Sequence, residues 1–200
     1  MNKKTFMTGL ALIASLQLRA AASAVYFLDS AASTLVASAL KNESVTVAVR
    51  FPVLSGNLDL VSGQAHVTAD LKGLATGNPA RDTNIQTLFF EVAKQVSFGQ
   101  ANFSWKGKAA DLAALKVGAP QDVTLTGELS LHGSTSKLSG PASLSVLEDG
   151  SYKASFSGWV VDIKKAKLAG TLAAMNKICP QPHRVGNEVG LKGELVFKKP

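Results

Sequence analysis

The chain has 200 residues, 46% hydrophobic and 18% charged, with a formal charge of +7. Its Lys and Arg are scattered, and only two Trp and two Tyr accompany them, so the dense basic patch and stacking platform of a nucleic-acid binder are missing. The single Cys excludes an intramolecular disulfide, and residues 25–200 suit one domain that buries roughly 70% of its unfolded surface.

In chain order, the first element is a leader. Lys3 and Lys4 precede an uncharged apolar stretch from Phe6 to Leu18 and then Ala22-Ser23-Ala24, the layout of a secretory signal peptide over residues 1–24. The apolar stretch is shorter than the ~20 residues a bilayer core requires. Removal takes Lys3, Lys4 and Arg19 with no acid, lowering the charge from +7 to +4. A periplasmic or secreted location is expected. No Cys lies near the cut, so a lipid anchor is not expected. The remaining basic excess reads as a solvated surface or as attraction to an anionic head group or membrane surface.

Alternation then dominates. Ala65, Val67, Ala69 and Leu71 face one way while His66, Thr68, Asp70 and Lys72 face the other, which is a two-faced strand. The same period runs through Val45/Val47/Val49/Phe51, Val123/Leu125/Gly127/Leu129/Leu131, Ala142/Leu144/Val146, Tyr152/Ala154/Phe156/Gly158/Val160 and Val189/Leu191/Gly193/Leu195/Phe197. Strands near Thr34–Leu40 and Ala101–Lys106 bring the expected count to about eight. Turn signals are Lys41-Asn42, Ser55-Gly56-Asn57, Gly118-Ala-Pro120, Ser139-Gly140-Pro141 and Glu148-Asp149-Gly150. Short turns make antiparallel neighbours, and closure into a barrel removes the exposed edges. Two short helices are predicted: Arg81–Val92, where Ile85, Leu88, Phe89 and Val92 form one apolar stripe, and Ile163–Ile178, where Leu168, Leu172 and Met175 do.

No nucleophile elbow, His-Glu-x-x-His or phosphate loop is present, and an enzyme is not expected. Cys179 and His183 have a metal-like spacing but lack further ligands nearby in sequence; no metal or cofactor is expected. Cys179 reads as a half-buried apolar residue or as a thiol that forms a homodimer on oxidation.

Two phrases carry a family resemblance. Arg81-Asp82 precedes Phe89-Phe90-Glu91-Val92, and Thr126-Gly127-Glu-Leu129-Ser-Leu131-His132-Gly133-Ser-Thr135 comes later. With Tyr26-Phe-Leu-Asp29, Phe51 and Val185-Gly186-Asn187-Glu188-Val189, these resemble the YceI-like, polyisoprenoid-binding family of lipocalin-like barrels over residues 25–200. The chain resembles a divergent member: Asn84 stands where the family commonly has His, and Ala32 in Asp29-Ser-Ala-Ala32-Ser33 replaces another. The resemblance implies an all-β, eight-stranded antiparallel lipocalin-like barrel holding a long-chain isoprenoid or quinone-like lipid.

The candidate site divides between the mouth of such a barrel and its wall. Arg81, Asp82 and Asn84 belong at the mouth, where Arg81 either holds a phosphate or polar head group or pairs with Asp82 or another carboxylate. His132 either anchors its turn or touches ligand. Phe89, Phe90, Phe98, Phe103, Trp105, Phe156 and Trp159 either pack the core or line the lumen, where small residues such as Gly127 and Gly158 leave room. The competing expectation is a non-catalytic envelope protein whose barrel is filled by its own side chains and which docks a partner.

Overall fold

The structure, a computed structural model, describes residues 24–178 and 184–200; nearly all of the expected leader, together with Cys179 and His183, lies outside the described residues. Ten antiparallel segments form one sheet: β1 (Val25–Leu28), β2 (Thr34–Lys41), β3 (Val45–Arg50), β4 (Leu54–Asp59), β5 (Gln64–Asp70), β6 (Gln100–Lys106), β7 (Gln121–Leu131), β8 (Ser134–Val146), β9 (Tyr152–Asp162) and β10 (Val185–Lys198). The order β1-β4-β5-β6-β7-β8-β9-β10 closes through a β1–β10 pairing, so eight strands complete the ring.

The hairpin β2–β3 prolongs that ring. β1 meets β10 at Phe197 and Lys198, and β2 meets the same edge between Glu194 and Val185. β1 and β2 are therefore two halves of one bent strand, as are β3 and β4. The bends have local causes: Asp29 Oδ1 accepts from the Ala31 and Ala32 N–H groups at 2.9 and 3.1 Å, and Pro52 has no N–H to offer a ladder. Ser30 Oγ pins them together, donating to the Pro52 carbonyl and accepting from Leu54 N–H, each at 3.0 Å. The eight-stranded barrel expected from the sequence is the fold. The segments β1 and β4 were not among the predicted strands, and Ser55-Gly56-Asn57, read as a turn, lies inside β4. Gly56 serves there as a close approach: a Cβ would sit 2.1 Å from the His66 carbonyl oxygen. Ser139-Gly140-Pro141 likewise lies inside β8 rather than in a turn.

Polarity decides which face is the lumen. On β7, Asp122, Thr124, Thr126 and Glu128 are exposed while Leu125, Leu129 and Leu131 are buried. The outer face is tied by polar cross-strand pairs such as Thr126–Ser139 at 2.7 Å and Ser130–Thr135 at 2.9 Å.

β9 departs from simple alternation. Its pairing with β10 shifts between Gly193↔Phe156 and Leu191↔Trp159, and Gly158 has φ +73°, a bulge that inserts one residue and reverses the facing of the strand beyond it. Trp159 and Val161 consequently point inward, and Val160 faces solvent. Gly127, expected to leave lumen space, instead seats a ring: a Cβ there would lie 2.4 Å from Phe103. Gly140, read as a turn, does the same for Trp159, which a Cβ would approach to 2.1 Å.

α1 (Pro79–Asn84) starts two residues before the predicted helix, because the Asn78 side chain accepts from Arg81 N–H at 3.1 Å and Pro79 presets the first turn. The helix then widens into a π-turn, Ile85–Phe89, with Phe90 N–H bonded to the Ile85 carbonyl at 2.9 Å. Widening moves Phe90 inward and leaves Leu88 exposed, unlike the regular 3.6-residue stripe. Glu91, at φ +51°, ends the element short of Val92. α2 (Ala109–Ala113) is an unpredicted third helix. α3 (Ala169–Ile178) begins later than the expected Ile163, since Lys167 at φ +57° breaks the preceding turn. Leu168 and Leu172 are buried as the stripe required.

Candidate functional site

The alternating apolar faces enclose a cavity of about 520 Å³, within the range of small-molecule sites. Antiparallel order puts the β5–β6, β7–β8 and β9–β10 connections and the β2–β3 hairpin at one end. There α1, the π-turn and α3 form a lid, with α3 packed on the π-turn. At the opposite end Leu112 of α2 is buried and faces the cavity floor with Leu58 and Tyr152. Burial pushes the Tyr152 phenol above its ordinary pKa, and the neighbouring Tyr26 adds to the shift; the two rings meet edge to face at 4.9 Å.

The lumen wall is aliphatic and aromatic, and polar side chains are concentrated near the lid. Lys41, Asn78, Arg81 and Asn84 line the mouth. Arg81 is exposed and takes part in no ion pair among the described residues. The anticipated pairing with Asp82 does not form. Asp82 Oδ1 instead accepts from the Thr76 N–H at 2.8 Å and the Thr76 hydroxyl at 2.5 Å, fixing the loop that enters α1. Asp82 thus supports the mouth without lining it.

Of the other sequence candidates, Asn84, Phe89, Phe90, Phe103, Trp105, Phe156 and Trp159 border the cavity. Trp159 is held by Nε1 donating to the Pro141 carbonyl at 2.8 Å and by ring contacts with Phe103 at 5.5 Å and Phe156 at 4.8 Å.

Phe98 and His132 lie outside the lining. His132 occupies the β7–β8 turn at φ +50°, followed by Gly133 at +70°, the backbone of a two-residue hairpin turn. Its ring stacks on Phe98 at 3.8 Å. Its buried Nε2 stands 3.3 Å from Glu91 Oε2 without hydrogen-bond alignment. Lys94, and then His132, hold the Glu91 carboxyl below its ordinary range. This cluster packs the turn against the segment leaving the π-turn, with no hydrogen bond from Nε2. Sequence reasoning missed Lys41, Asn78 and Met175 as lining residues; the phase Leu35/Ala37/Ala39/Lys41 on β2 was the available signal for the first.

An antiparallel barrel with an apolar lumen and a lid at one end defines a lipocalin-like fold. The chain belongs to the YceI-like domain family, whose pattern it matches over residues 26–197. It is similar to a polyisoprenoid binding domain from Saccharophagus degradans, described as implicated in plant cell wall breakdown, with TM-score 0.79 and 23% identity over 88% of this chain and 99% of that one. It is also similar to BcnA of Burkholderia cenocepacia (TM-score 0.60, 18% identity, 84% of this chain and 98% of that one). A YceI protein of Campylobacter jejuni aligns at TM-score 0.52 and 18% identity over 77% of this chain and 86% of that one. No curated protein matches the chain.

Proposed function

We propose that the chain binds and carries a polyisoprenoid or similar long-chain lipid in its lumen, without catalysis, in the periplasm or outside the cell after loss of residues 1–24. The observation that carries this reading is the 520 Å³ apolar cavity with its cationic and amide rim. Membership of the family and the similarity to a polyisoprenoid binding domain support it. A barrel filled by its own side chains, the competing expectation, has no place for such a void.

At about 0.8 kcal/mol per buried methylene, the tail supplies most of the affinity. Arg81, flanked by Asn78 and Asn84, suits a phosphate or a quinone-like carbonyl head group. Native mass spectrometry of the protein purified from its own envelope should show a bound lipid, and the empty protein should retain added polyprenyl phosphate. Arg81→Ala should weaken polyprenyl phosphate by about 1.5–3 kcal/mol, the usual worth of hydrogen bonds to a charged group, and leave a head-group-free polyprenyl hydrocarbon unaffected. Failure to retain any polyprenyl lipid would overturn lumen carriage. Equal loss for both ligands would remove Arg81 from head-group recognition.

A further inference from the structure

We propose that the barrel docks, lid end first, onto an anionic phospholipid surface. The basis is the distribution of charge between the two ends, which does not depend on what the lumen holds.

The β9–β10 connection carries Lys164, Lys165, Lys167 and Lys177, all exposed, with exposed Arg184 where β10 begins. No carboxylate interrupts residues 163–178, and none of these cations is ion-paired among the described residues. Lys41 and Arg81 at the mouth add to the same end. Glu91 is paired with Lys94, and the other acids at this end, Glu43, Asp70, Asp82, Asp162 and Glu188, stand against Lys41, Lys72, Arg81, Lys164, Lys165, Lys167, Lys177 and Arg184, which leaves a positive excess.

The opposite end differs. Lys108, Lys116 and Lys199 there stand against Asp111, Glu148 and Asp149, a balanced set with no directional field. The net positive excess therefore sits around the lid.

Exposed apolar side chains lie at the lid end too, as Val61 and Val117 do at the opposite one. Val96 is 87% exposed and Ile178 53%, and Leu40, Val45 and Leu88 are also exposed. They are dispersed over three connections, β2–β3, β5–β6 and β9–β10, among long lysines rather than gathered into a groove for a helix or strand. Flexible cations around isolated apolar residues suit a fluid, anionic, apolar-backed surface, to which each Lys near the interface contributes about 1 kcal/mol. No helix of the described residues is long and apolar enough to cross a membrane.

The test is co-sedimentation with vesicles of phosphatidylcholine alone or mixed with phosphatidylglycerol. The protein should bind the mixed vesicles, release them as salt rises because screening shortens the reach of surface charge, and ignore the neutral ones. Changing Lys164, Lys165 and Lys167 together to Gln should weaken binding about a hundredfold, roughly fivefold per lysine. Lys108→Gln with Lys116→Gln should leave it unchanged. A second pair, Lys177→Gln with Arg184→Gln, provides an independent reading should the triple variant melt early. None of the five side chains at the lid end lines the lumen, so polyprenyl retention in vesicle-free solution should survive in both variants. Lost vesicle binding with retained polyprenyl lipid supports docking. Equal binding to neutral vesicles, indifference to the lid-end changes, or no binding to anionic vesicles overturns it, the last pointing to an acidic protein partner instead.

Discussion

Trp159→Ala should lower stability by about 3–5 kcal/mol, the range for truncating a buried Trp. Trp159 is 3% exposed, and three independent features hold it: the Gly140 seat, the hydrogen bond to Pro141 and the contacts with Phe103 and Phe156. Alanine removes the ring contacts and strands the Pro141 carbonyl, while the strand backbones around Gly140 resist collapse. For a domain of this size each kcal/mol moves Tm by about 2–4 °C, so the midpoint should fall by roughly 6–20 °C. Trp159→Phe keeps an aromatic in the seat but loses the donor, and should cost nearer 1–2 kcal/mol. Thermal melts of both variants, followed by circular dichroism, give the comparison. Equal costs would mean that the hydrogen bond, rather than packing, dominates at this position.

Ala39→Trp should abolish retention of a long apolar lipid while leaving the barrel folded. Ala39 faces the lumen between Val47 and Val189 on the lid side, so an indole there occupies space proposed for the tail. At about 0.8 kcal/mol per methylene, excluding only four carbons costs roughly 3 kcal/mol, more than a hundredfold in affinity. The void accepts the ring without overpacking the wall, which limits the stability change to about 1.5 kcal/mol. Polyprenyl retention and Tm measured on the same variant separate the outcomes. Full retention with unchanged Tm would place the ligand outside the lumen.

Much of the barrel was legible because a half-buried strand announces itself with period two, as in Ala65/Val67/Ala69 and Leu125/Leu129/Leu131. The illegible parts were local backbone choices that break the period. Gly158 shifts the phase of β9, so Trp159 rather than its neighbours turns inward. The π-turn at Ile85 substitutes Phe90 for Leu88 on the buried side. Glycines at 56 and 140 read as turns because a sequence does not tell a flexible corner from a strand position that must admit a neighbouring carbonyl or indole. At the site, the aromatic lining was accessible from alternation. The separation of Arg81 from Asp82 was not, because it depends on Thr76 competing for the carboxylate across a loop.

The closure of one end has a kinetic consequence. With Leu112 and the paired tyrosines at the floor and the lid at the other end, the lumen is a blind sac rather than a conduit. Under the proposed role, loading and unloading must use the same doorway, so an occupant has to depart before its successor arrives. Exchange between two sources would then obey a strict alternation, with the empty barrel as an obligatory intermediate and its lifetime setting the pace of delivery.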